Sequence, residues 1–233
     1  MRCIILVCLS VIPIFAGTLL RPVLEVLPIG SSRSGCQLEC GELLRIRADK
    51  MEDFNIVPDE KASLRCYMDK NNFYVRLYCE DQDILSEVKS PAVPRPGNAA
   101  DAVQILLKSE RDPGIWEFNV TANNIVNGFF HHSAGAVIPA SSEKLSGATA
   151  AVSCEGTLNN SKDRDKAWRV NVTIPKSVFG KKGFKFTPEE KWTMIVVRSN
   201  FGVYQKAQEI SSFPQSVLNV YDPARYAELR FNR

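Results

Sequence analysis

The chain has 233 residues, enough for one large all-β domain or two small ones. Hydrophobic residues at 45% and charged residues at 24% give an ordinary globular balance, which excludes a disordered polar chain. The formal charge of +3 is nearly balanced, and no Lys/Arg cluster is interleaved with aromatics, so no nucleic-acid partner is expected.

At the N-terminus Arg2 precedes an apolar run, Cys3 to Phe15, followed by Ala16-Gly17. A charged start, an apolar centre and a small-residue exit predict a secretory signal peptide over residues 1–17. The run is shorter than the roughly 18 residues of a spanning helix, so a buried strand is the alternative and no transmembrane segment is expected. An exported protein, secreted, extracellular or periplasmic, follows. Removing Cys3 and Cys8 leaves Cys36, Cys40, Cys66, Cys79 and Cys154, an odd number that cannot all pair within the chain. Cys36 and Cys40 could form a local bridge, whereas Cys66 and Cys79 fall on inward strand positions and are expected as buried thiols. No zinc set is expected, because His131 and His132 have no spacing that complements these cysteines.

Residues 18–41 form a lead-in marked by Pro22, Pro28 and the run Gly30 to Gly35, with the least order expected there. The folded domain is expected over residues 42–233. Leu44, Ile46 and Ala48 alternate with charged residues. Ala62 to Met68 and Phe73 to Cys79 read as a hairpin around Asp69–Asn72, with Phe73, Val75, Leu77 and Cys79 on one face and Tyr74, Arg76 and Tyr78 on the other. Glu80, Asp81 and Asp83 could hold a structural calcium through oxygen ligands; their spacing fits no defined calcium loop and favours a solvated turn. No other cofactor is read. Ser90 to Asn98 is too rich in Pro and Gly for a regular element.

The most patterned stretch is Asp101 to Asn124. Val103, Ile105 and Leu107, then Trp116, Phe118 and Val120, alternate with other residues around Asp112-Pro113-Gly114, where Pro fixes φ and Gly accepts a positive one. With the apolar set turned to the core, Glu117 and Asn119 must point to the opposite face. Further strands are expected over residues 125–132, 148–155, 167–174, 192–199 and 225–231, with a single helical turn at residues 176–179 and loop from Ser133 to Gly147. Many short strands with regular turns predict an all-β fold, a β-sandwich of two antiparallel sheets.

No nucleophile elbow, phosphate loop or dinucleotide fingerprint occurs. His131 and His132 are adjacent at a strand end and read as exposed side chains rather than bases of a triad. Glu80 with Asp83, and Glu189 with Glu190, read as surface charge rather than as a glycosidase pair. Met51, Met68 and Met194 form no axial pair with either histidine for a haem. Asn-x-Ser/Thr sequons at Asn119, Asn159 and Asn171 decide nothing. Trp116, Trp168 and Trp192 are in phase with apolar neighbours and belong to the core. Tyr74, Tyr78, Tyr204, Phe213 and Tyr221 are the candidates for stacking on a sugar ring.

Taken in order, Asn72 to Asp81, Asp101 to Leu107, Trp116 to Val120, Trp168 to Pro175, Trp192 to Arg198 and Tyr221 to Phe231 resemble the motifs of the family 9 carbohydrate-binding modules. The resemblance covers most of Leu43 to Phe231 and implies a jelly-roll, DOMON-like sandwich that binds sugar without catalysis on its concave face, typically beside a polysaccharide hydrolase. It assigns the family's acidic sugar contact to Gln104 and its basic one to Asn119, with the two clamp tryptophans falling at Asn98 and Val220. Phe213 or Tyr221 stands in for a clamp, and Arg198 faces the same cleft. The expected function is carbohydrate binding in support of glycan degradation, through Gln104, Asn119 and Arg198 as polar contacts and Phe213 and Tyr221 as stacking surfaces. The alternative is an exported sandwich that has lost the clamp and serves as a structural accessory or binds another exported protein.

Overall fold

A computed structural model describes residues 21–29, 38–39, 43–45, 59–88, 100–134, 141–204, 209–214 and 219–232. The expected signal segment 1–17, most of the expected lead-in 18–41, Cys36, Cys40, Met51 and Asn98 lie outside these residues. The chain is all-β. Its strands are β1 (Val23–Pro28), β2 (Leu38–Glu39), β3 (Leu43–Arg45), β4 (Ala62–Met68), β5 (Asn72–Glu80), β6 (Ala102–Ser109) and β7 (Ile115–Thr121), followed by β8 (Val126–His131), β9 (Ser142–Leu145), β10 (Thr149–Glu155), β11 (Ala167–Pro175), β12 (Trp192–Asn200), β13 (Glu209–Phe213) and β14 (Ala227–Phe231). One short helix, α1 (Ser177–Gly180), follows β11.

Hydrogen-bonded pairing runs in the order β10-β11-β5-β4-β1-β14-β12-β6-β7-β8-β9, with β13 against β12 and β3, and β2 against β4. The ladder is therefore one continuous sheet; its pairing does not divide into the two expected sheets. The sheet curls, because Leu64, Phe73, Val75, Trp168 and Val170 from one half pack in the same core as Ile105, Trp116, Phe118 and Val196 from the other. Alternation accounts for this: along β5, β6, β7 and β11 every second residue is apolar and turns inward. Cys66 and Cys79 are buried in this core, as are Trp116, Trp168 and Trp192. Trp116 is its aromatic centre, with ring centroids 4.8 Å from Phe130 and 5.2 Å from Trp192.

Four strands depart from the sequence reading; β2 falls within the expected lead-in and pairs antiparallel with β4. β1 falls within the expected lead-in yet pairs parallel with both β4 and β14, burying Leu24 and Val26. β9 is a mostly polar edge strand whose Leu145 alone is buried. β13 is buried at Glu209, Ser211 and Ser212, so no polar alternation marks it.

At the turn between β6 and β7, Gly114 is required for space rather than for a positive φ. A Cβ there would lie 2.4 Å from Phe130 Cζ and 2.7 Å from the His131 carbonyl oxygen. Gly114→Ala is expected to destabilise by about 1–3 kcal/mol through overpacking, measured by urea unfolding.

A second, smaller apolar cluster lies on the other face of the sheet. Leu106, Ile115, Ile195, Val197 and Tyr226 form it, and Ala134, Ile210, Val220 and Tyr221 pack on it.

Candidate carbohydrate-binding site

On that second face β6, β7 and β8 set their side chains in cross-strand rows. Gln104 lies opposite Asn119, and Asn119 opposite Asn127. In the next row Leu106 faces Glu117 and Glu117 faces Phe129; in the third, Ile115 faces His131. Because Ile105, Trp116, Phe118 and Phe130 take the core side, the polar members have no choice of face.

Glu117 is the centre of these rows and is 1% exposed. Its Oε1 accepts hydrogen bonds from Gln104 Nε2 at 2.8 Å and from Asn119 Nδ2 at 2.7 Å. Its Oε2 accepts from the Tyr221 hydroxyl at 3.0 Å and makes a short contact with His131 Nε2. Burial alone would raise the Glu117 carboxyl, but the donors from His131, Asn119 and Gln104 outweigh it and hold the group below its ordinary value. The carboxylate is therefore charged at neutral pH.

His131 stands between two rings. Tyr221 meets it edge-on, with centroids 5.3 Å apart at 84°, and Phe129 lies nearly parallel at 6.3 Å. The expectation of an exposed histidine is corrected here: His131 is 6% exposed, because Glu117 holds its Nε2 and the rings flank it. Its Nδ1 is buried with no hydrogen-bond partner among the described residues. His132, on the other face of the chain, is exposed as expected.

Of the expected site residues, Gln104, Asn119 and Tyr221 come together at Glu117. Arg198 and Phe213 do not. Along β12, Trp192, Met194 and Val196 point into the main core, and Arg198 follows in the same phase, 1% exposed. Its guanidinium donates to the carbonyl oxygens of Glu60 at 3.0 Å and Glu80, and to Asp81 Oδ2 at 3.3 Å. Phe213 pairs with Val196 across the ladder and packs on the main core for the same reason. Among the expected clamp positions, Val220 packs on the second apolar cluster next to Tyr221. Glu117 and His131 were not singled out by the family pattern. The alternation of Glu117 with Trp116 and Phe118 was a signal for its face; His131 needed the register of β7 against β8.

The loop after β5 also differs from a solvated turn. Asp81 and Asp83 are buried, because Asp81 pairs with Arg198 and Asp83 Oδ2 accepts from the Val203 amide at 2.8 Å. Asp101 lies beneath them and accepts from the amides of Phe201 and Leu85. Among the described residues no group of acidic, histidine or cysteine side chains is placed to hold a metal ion. Burial, with repulsion from Glu60, pushes Asp81 from 3.8 to about 6 against the pull of Arg198; burial and then Asp81 itself raise Asp101. A carboxyl raised on folding binds more protons in the native state, so its contribution is complete below pH 3.8 and is lost as pH rises through about 6. The unfolding free energy is expected to fall by roughly 1–2 kcal/mol between about pH 5 and pH 7, and Asp81→Asn to flatten that slope in urea titrations at each pH.

Comparison with known proteins adds the fold. No family model and no curated protein matches the chain. Among solved structures, a Bacteroides uniformis ATCC 8492 protein with a provisional carbohydrate-binding description superposes at a TM-score of 0.55 and 11% identity, over 91% of this chain and 100% of its own. A family 9 carbohydrate-binding module from Caldicellulosiruptor kristjanssonii in complex with cellotriose superposes at 0.53 and 14% identity, over 90% and 93%. A family 9 module from the same organism in complex with glucose superposes at 0.51 and 14%, over 90% and 95%. The chain therefore has the fold of the family 9 carbohydrate-binding modules.

Proposed function

We propose that the chain is a non-catalytic carbohydrate-binding protein and that its ligand lies against the Glu117-centred rows of β6, β7 and β8. The observation that carries this is the meeting of Gln104, Asn119 and Tyr221 on one charged carboxylate, flanked by the rings of Phe129 and Tyr221. Directional polar groups fixed on a stiff sheet beside aromatic faces are what a sugar ring requires. The shared fold with modules seen with cellotriose and glucose supports the same reading. Arg198 and Phe213 are left out of the site, and His131 joins it. Action outside the cell in support of glycan degradation fits the expected signal segment; no helix among the described residues is long and apolar enough to cross a membrane.

One observation favours the alternative of a protein-binding or structural accessory. Glu117, Asn119 and His131 are buried beneath Tyr221 and its neighbours, and Val220 occupies a clamp position.

Calorimetric titration with soluble oligosaccharides and their parent polymers separates the two. Binding is expected, with at least about a tenfold loss in the double variant Gln104→Ala/Asn119→Ala, equivalent to roughly 1.4 kcal/mol. A folded protein that gives no heat with any glycan would rule out the carbohydrate function and send the search to a protein partner.

A further inference from the structure

A carboxylate can only accept hydrogen bonds, so every group meeting Glu117 turns a hydrogen towards it. That fixes the rest of each partner. With their amide nitrogens on Glu117, Gln104 and Asn119 present carbonyl oxygens at their other ends. With Nε2–H on Glu117, a neutral His131 keeps a lone pair on Nδ1. Within this cluster, and among the described residues, Nδ1 is the buried side-chain atom that has no partner. One buried carboxylate thus leaves its amide partners, and the Nε2–H form of His131, as acceptors at their other ends. Tyr221 already illustrates what such a face receives, since its hydroxyl donates to Glu117 Oε2 where a ligand hydroxyl would. Tyr221 is half-buried and lies outside every strand, just ahead of the turn at Pro223–Arg225. It can turn aside without breaking a ladder.

We propose that His131 is the specificity-determining residue of this site: its Nδ1 accepts a hydroxyl hydrogen from an uncharged glycan that enters as Tyr221 turns out. A ligand carrying a carboxylate or sulfate there would set acceptor against acceptor and negative charge against Glu117, so uronic and sulfated glycans are excluded. This rests on the carbohydrate-binding reading above.

The test uses the full ¹⁵N-labelled chain with a panel of neutral trisaccharides that includes cellotriose, and with trigalacturonate as the anionic probe. Long-range proton–nitrogen spectra are expected to show His131 protonated at Nε2 alone, with the Nδ1 signal shifting on adding a neutral trisaccharide. Trigalacturonate is expected to bind at least about tenfold more weakly. His131→Leu, which removes the acceptor, is expected to lose about tenfold in affinity, whereas His131→Gln, able to donate to Glu117 and still accept, stays within about threefold. If a neutral trisaccharide binds while Nδ1 carries a proton or its signal does not move, the proposal is overturned and carbohydrate binding stands. If the Nε2–H form is found but no trisaccharide binds, carbohydrate binding fails and the proposal fails with it.

Discussion

Replacing Glu117 by alanine is expected to lower the unfolding free energy by about 3–5 kcal/mol, an effect large for a residue outside the main core. The carboxylate is the shared acceptor of Gln104, Asn119, His131 and Tyr221. Without it four donors face a cavity from which water is largely excluded, and each unmet donor costs about 1–3 kcal/mol before relaxation. The half-buried partners, Gln104 and Tyr221, can turn to solvent and recover part of this; Asn119 and His131 cannot. Glu117→Gln keeps the volume and one acceptor oxygen, so it is expected to cost less, about 1–3 kcal/mol. Urea unfolding of both variants measures the difference. A loss under about 1 kcal/mol for Glu117→Ala would mean that the network does not hold this face together. The pH dependence has a definite sign as well. The Glu117 carboxyl is lowered on folding, so its contribution is present above its ordinary 4.5 and lost as pH falls through the folded value. The alanine variant should lack that acid-side loss.

Arg198→Ala is expected to be as severe, about 3–5 kcal/mol, and to act through stability rather than through ligand contact. The side chain is enclosed between β12 and the loop at Glu80–Asp83, and its removal leaves Asp81 and Glu60 buried without their cation. Asp81 already stands at about 6, so losing Arg198 should raise it further and shift the stability maximum to lower pH. Unfolding titrations across pH check this. Glycan affinity, measured where the variant is still folded, should be unchanged. A normal stability combined with lost binding would instead return Arg198 to the site.

The two misplaced site residues show where sequence reasoning held and where it gave way. Counting by twos from Trp192, itself assigned to the core, puts Arg198 on the core face. The family resemblance set it in the sugar cleft, but the carbonyls of Glu60 and Glu80 and the carboxylate of Asp81 meet the guanidinium inside. Periodicity outranked resemblance. For Phe213 no count was possible, because the strand Glu-Ile-Ser-Ser-Phe has no apolar alternation. The phase of the β6–β7 hairpin was legible, since Val103, Ile105, Trp116 and Phe118 set it and turned Glu117 and Asn119 to the opposite face; the burial of that face and the role of Gly114 were not. His131 was not, because its neighbour across the ladder is Ile115, and only the β7–β8 register sets it in the row beside Glu117. Val23–Pro28 was missed for a related reason: its partners β4 and β14 are parallel and distant in sequence, so no local turn announces them.

The most direct test of the site is amide chemical-shift mapping of the full chain titrated with the tightest-binding glycan. The shifts are expected to concentrate at Gln104, Glu117, Asn119, Phe129, His131 and Tyr221, with Arg198 and Phe213 unmoved. Shifts centred instead on Tyr67, Tyr74 and Tyr78, on the outer face of β4 and β5, would contradict the assignment and move the sugar to another surface.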